Sequence, residues 1–111
     1  MRITNILHAN IMDGIDYIKN ERQRQLEYNG ELPYTEYDLK ERVLVKAAVS
    51  YMFVQNHFKC QSEQNTFPPI IFPFDRKYWN PNKDNDIMNL AKAGAYIASE
   101  IDRLIKLQDK Q

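Results

Sequence analysis

The chain has 111 residues, 15 of them basic and 15 acidic, so its formal charge is zero, and 43% are hydrophobic against 27% charged. That length fits one domain with one core, and the composition is too apolar for a disordered chain. Balanced charge argues against a dedicated DNA binder, and no apolar run approaches the roughly 20 residues that cross a bilayer. The start of the chain lacks a signal-peptide core, and a single cysteine, Cys60, has no internal disulfide partner. Both features predict a cytoplasmic protein with an inert thiol.

Residues 1–9 carry little pattern and read as a lead-in. The first predicted helix covers about 11–28. Ile11, Ile15, Ile18, Arg22, Gln25 and Leu26 fall roughly on one side of it, so its stripe turns polar halfway along. Such a face either leaves the core for the surface, the simpler reading, or presents donors to a cleft. Asn29 and Gly30 end this helix, because glycine readily takes the left-handed conformation found there.

Asp38 with Glu41 forms a capping-box pattern that opens a second helix, about 39–58. Leu39, Val43, Leu44, Ala47, Ala48, Tyr51, Met52 and Gln55 supply its apolar stripe, and the alanine pair permits close approach. Residues 61–66 are a polar connector.

Pro68, Pro69, Pro73 and Pro81 then exclude a long helix, since each fixes φ and removes a backbone donor. Phe67, Phe72, Phe74, Tyr78 and Trp79 in the same stretch are too apolar to leave in water. They predict an ordered, extended loop lying across the helices, with room for a short strand.

A third helix follows over about 85–107. Ile87, Leu90, Ala91, Gly94, Ile97, Ala98, Ile101, Leu104 and Ile105 recur at three- and four-residue intervals, as one buried stripe would. Asp84, Asn85 or Asp86 caps its start, Arg103 and Lys106 suit its negative end, and Gly94 allows another backbone to come close. The expected fold is all-α: a compact array of three main helices spanning residues 1–111 as one domain, with a long ordered Pro/aromatic loop before the last helix.

Two motifs carry a resemblance. Glu21, Arg22, Arg24 and Gln25 give E-R-x-R-Q. FPFDRKYWNP, from Phe72-Pro73-Phe74-Asp75 to Trp79, precedes a helix reading L-x-K-A-G-A-x-I-x-x-E-I-x-R-L between Leu90 and Leu104. Together with Gly30, the Thr35 to Asp38 turn and the Leu44, Ala47, Ala48, Tyr51 helix, this resembles a family of small phage- and prophage-encoded proteins over most of residues 21–107. Tyr37 stands where that family has His. The resemblance implies a phage or prophage source more than an activity.

Three functions fit such a chain. A MazG-type, Mg-dependent nucleotide pyrophosphohydrolase needs carboxylates paired one turn apart on adjoining helices. Asp13 with Asp16, and Asp38 with Glu41, have that spacing but sit at helix starts, where capping accounts for them. Glu100 and Asp102 are roughly 200° apart around a helix and cannot share an ion. A binding site for an anionic, nucleotide-like molecule needs Arg or Lys for phosphate and an aromatic face for a base. Arg22, Arg24, Arg76, Lys77 and Lys92 offer the first; Tyr34, Tyr78, Trp79 and Tyr96 offer the second. The expected ligand-binding set is Arg22, Arg24, Tyr34, Asp38, Arg76, Lys77, Trp79 and Lys92, with no catalytic residue, metal or cofactor. Third, an inhibitor or adaptor would bind a host protein through Ile70, Ile71, Phe72 and Tyr78, a surface that a homo-oligomer would bury equally well. The reading taken forward is a non-enzymatic phage accessory protein that sequesters a nucleotide-like ligand to counter host defence.

Overall fold

The computed structural model describes residues 11–27, 39–54 and 67–110. Among the described residues, three α-helices carry the fold: α1 (Gly14–Glu27), α2 (Val43–Met52) and α3 (Asp86–Asp109), with 3₁₀ turns at Leu39–Glu41 and Arg76–Tyr78. Among the described residues there is no strand, and no helix is long and apolar enough to cross a membrane. The fold is all-α, as the periodicities predict.

Local chemistry sets the helix starts. The Asp16 N–H donates to Asp13 Oδ1 at 2.9 Å and the Asp13 N–H donates to Asp16 Oδ2 at 3.1 Å, a reciprocal capping box built from two aspartates. For α3 the cap is Asn85, whose Oδ1 accepts from the Ile87 and Met88 N–H groups. The second helix departs from expectation. Its first residues form the 3₁₀ turn, and Arg42 then takes a left-handed conformation, φ 66° and ψ 27°, before α2 begins. No glycine marks this break, so propensity gave no sign of it.

Both other helices pack against α3. On one side, Val43, Leu44, Ala47, Ala48 and Tyr51 of α2 form the core with Ala93 and Tyr96 of α3 and with Phe72 and Phe74 of the loop. The predicted α2 stripe is therefore buried from Val43 to Tyr51, while Met52 is exposed. The loop lies over this core as predicted. The Tyr51 ring sits 4.7 Å from that of Trp79 and 6.2 Å from that of Phe72, and its hydroxyl accepts from the Asn80 N–H at 3.1 Å. Asn89, fully buried on α3, accepts from the Asn82 N–H at 2.6 Å and donates to the Asn82 carbonyl at 2.8 Å. Those two bonds fasten the end of the loop to the helix that follows it.

The large aliphatic stripe of α3 is not buried. Ile87, Leu90, Ile97, Ile101, Leu104 and Ile105 are each between 42% and 55% exposed, whereas Asn89, Ala91, Ala93, Ala95, Tyr96, Ser99 and Glu100 are inside. Helical periodicity reveals that a stripe exists without saying which side the partners occupy. Here α1 and α2 approach over the small alanines, where backbones come nearest. Gly94 admits the Ile18 side chain of α1: a Cβ at Gly94 would lie 2.6 Å from Ile18 Cδ1. The close approach it permits is by this side chain.

Candidate functional site

The face of α1 toward α3 continues Ile18 into Glu21 and Gln25, one and two turns on, so its inner surface is polar. Glu21 is 3% exposed and Gln25 5% exposed. Opposite them α3 contributes Lys92, with Ser99 two turns further along the same face, and the result is a polar layer between two helices. The sequence reading favoured surface exit for this half of α1; the structure turns it inward instead.

Three ion-paired groups stand on α1 and α3. Glu21 accepts two bonds from Arg24, at 2.6 Å from Nη2 and 3.0 Å from Nε, and lies 3.6 Å from Lys92 Nζ. Glu100 is held the same way by Arg103, at 2.6 and 3.1 Å. Arg22 Nη2 meets Asp102 Oδ2 at 2.6 Å and ties α1 to α3 nearer the surface. Bidentate Arg–carboxylate geometry is what makes these carboxylates tolerable inside, because a buried charge without a partner costs several kcal/mol.

Among the described residues, Arg24 and Lys92 both address Glu21, and Arg22 pairs with Asp102. Burial lowers the pKa of the Lys92 ammonium, with the attraction of Glu21 opposing it. The hydrogen bond to Glu21 is the main reason that Arg24 is held above its usual value. Tyr51 borders the layer: burial raises its hydroxyl, the Asn80 hydrogen bond lowers it, and the charges of Glu21 and Arg24 act in opposite directions. Arg22 Nη1, Gln25 Oε1 and Ser99 Oγ are buried with no hydrogen-bond partner among the described residues. Buried polar atoms are normally satisfied. Arg22 and Gln25 bring two such atoms from α1, and Ser99 one from α3.

The expected ligand set divides. Arg22, Arg24 and Lys92 come together in this layer. Arg76, Lys77 and Trp79 belong to the loop: the Arg76 guanidinium lies 4.1 Å from the centre of the Phe67 ring, Lys77 Nζ lies 5.1 Å from that of Tyr78, and Trp79 packs on Tyr51. Tyr34 and Asp38 fall outside the described residues. The loop borders a cavity of about 340 Å³ lined by Ser50, Phe53, Val54, Phe67, Pro68, Pro69 and Trp79. Its lining is apolar, and the Ser50 hydroxyl is already used, donating to the Lys46 carbonyl at 2.8 Å.

The surface expected for a host protein changes as well. Phe72 is only 8% exposed and Tyr78 is half-buried against the core, leaving Ile70 and Ile71 in the open. Of the carboxylates weighed for a metal, Asp13 and Asp16 cap each other, Glu100 binds Arg103 and Asp102 binds Arg22, and Asp38 lies outside the described residues. Among the described residues no three His, Cys, Asp or Glu side chains cluster as a metal site would require.

Sequence reasoning named Arg22, Arg24 and Lys92 and missed Ser99 and Glu100 as buried groups. The signal was present. Glu21–Arg24 and Glu100–Arg103 share an i, i+3 spacing, and both pairs lie in the two motifs that carry the phage-family resemblance. Comparison with protein-family models, with curated proteins and with solved structures gives no match.

Proposed function

We propose that the protein is a non-enzymatic phage or prophage accessory protein that binds, and so sequesters, an anionic nucleotide-like molecule at the polar layer between α1 and α3. The observation carrying this reading is the layer itself: one buried carboxylate, Glu21, shared by two cations, and three buried polar atoms without a hydrogen-bond partner, in a stretch of interface that apolar residues would have filled more cheaply. Arg24, half-exposed at the rim, reaches the phosphate. Lys92 adds charge from within, and Gln25 and Ser99 supply the orienting hydrogen bonds. The pairing of E-R-x-R-Q with K-A-G-A-x-I-x-x-E-I-x-R in one layer supports a shared purpose for the two motifs.

The test is a thermal-shift screen against nucleoside triphosphates, cyclic oligonucleotides and ADP-ribose derivatives, with the ligand recovered and checked by chromatography. A ligand at about 100 times its dissociation constant adds about 2.7 kcal/mol to stability. The expected result is a shift with intact ligand that Arg24→Ala reduces at least about tenfold in affinity. Cleaved ligand would replace sequestration by hydrolysis, and the absence of any shift would remove the reading. A host-protein adaptor is the second reading, favoured by the full exposure of Ile70.

A further inference from the structure

The aliphatic residues that the fold leaves outside on α3, Ile87, Leu90, Ile97, Ile101 and Leu104, recur at alternating intervals of three and four once Gly94, which Ile18 covers, is counted between Leu90 and Ile97. That is the a/d seam of a coiled coil, and what packs on such a seam is another helix. The chain uses α3 the other way round. Lys92 and Ser99, at the positions opposite the seam, are turned into the chain's own interior with side-chain exposure of 12% for Lys92 and residue exposure of 6% for Ser99.

Three properties of the seam identify its occupant. It is apolar throughout, because Ile18 of α1 fills the place in front of Gly94. It has no free charge to desolvate: among the a, d, e and g positions from Ile87 to Leu104, Glu100 alone is charged, and it is buried and bonded to Arg103. It is also large. Half-exposed Ile and Leu side chains present on the order of 90 Å² each, so the five of the seam with Ile105 beside them give roughly 500 Å², and Ile15, one turn before Ile18, extends the patch toward the ~800 Å² that one partner contributes to a standard interface.

We propose that this face is covered by a second copy of the chain, α3 against α3 in antiparallel orientation about a two-fold axis. The interval pattern reads the same in both directions, so an antiparallel copy sets each a position against a d position. Ile87 meets Leu104 of the partner subunit, Leu90 meets Ile101 of the partner subunit, and Gly94 with its covering Ile18 meets Ile97 of the partner subunit. The two helix dipoles then oppose one another. The contact is isologous and closes at two copies.

Sedimentation equilibrium on the full chain tests the pairing, with circular dichroism to follow folding. Wild type is expected to sediment as a dimer at micromolar concentration. Ile101→Lys and Ile97→Lys, both at half-exposed positions, are expected to weaken association at least about 100-fold while helix content is kept. In a Cys60→Ser background, Leu90→Cys combined with Ile101→Cys should cross-link two chains on oxidation, and either cysteine alone should not. A wild type that stays monomeric at all concentrations overturns the proposal, as does a dimer that survives both lysine variants. Cross-linking through Leu90→Cys alone overturns the antiparallel register.

Discussion

The two sides of α3 are packed on opposite principles. Toward α2 it buries Ala93 and Tyr96 among Leu44, Ala47, Tyr51, Phe72 and Phe74, an aromatic and aliphatic core with T-shaped ring contacts such as Phe72 to Phe74, centroids 5.6 Å apart. Toward α1 it sets Lys92, with Ser99 two turns on, against Glu21 and Gln25. The first side stabilises by removing apolar surface from water, and the second spends much of what its ion pairs gain on desolvating them.

That contrast can be broken most severely on the apolar side. Leu44 is 1% exposed, and Leu44→Ala should cost about 3 kcal/mol by leaving a cavity, read as a lowered denaturant midpoint with an unchanged slope. On the polar side Glu21→Ala should cost about 2 kcal/mol: Lys92 loses its partner, while half-exposed Arg24 turns to water. Replacing Glu21 and Lys92 together by leucine should recover most of that loss and abolish nucleotide binding, and urea titration beside the thermal-shift screen measures both. If the double variant were as unstable as Glu21→Ala, the layer would be structural after all.

A smaller effect sharpens how α1 meets α3. Gly94→Ala gains about 1 kcal/mol of helix propensity but places a methyl group 2.6 Å from Ile18 Cδ1, so the net result should be a loss of about 1 kcal/mol. Adding Ile18→Ala makes room for the methyl group, and in that background the glycine replacement should become stabilising. The smallest effect is on pH. Burial holds Lys92 below its ordinary 10.5, so as pH climbs toward 10.5 the unfolded chain binds more protons than the native one and this group's contribution to stability rises. Tyr51 acts in the reverse sense as pH passes 10.0, because burial holds its proton on in the native state. Between neutrality and pH 10.0 the unfolding midpoint of wild type should therefore rise relative to that of Lys92→Met; parallel curves would place Lys92 in water.

Helices and caps were legible because they depend on neighbours in sequence. Asn85 caps α3 and Asp13 caps α1 through side chains within three residues, and the Leu44, Ala47, Ala48, Tyr51 stripe needed only a 3.6-residue period to be seen. The loop was legible too, since four prolines forbid a helix and five aromatics demand cover. The candidate site was half legible: charge and ring inventory named Arg22, Arg24 and Lys92, which the fold brings together, but could not separate them from Arg76, Lys77 and Trp79. The side chains of these two groups are interleaved in type and divided only in space.

The sequence by itself determined an all-α chain, the Asn85 cap region of its last helix, and the two motifs that meet in the polar layer, because all of these follow from local hydrogen bonding and periodicity. Tertiary structure alone decided which face of each helix is inside. Alanines, not isoleucines, admit the neighbouring helices to α3, since close packing depends on how near two backbones can come as well as on how apolar the side chains are. The same choice turned Glu21 and Glu100 inward and left Leu90, Ile97 and Ile101 facing out.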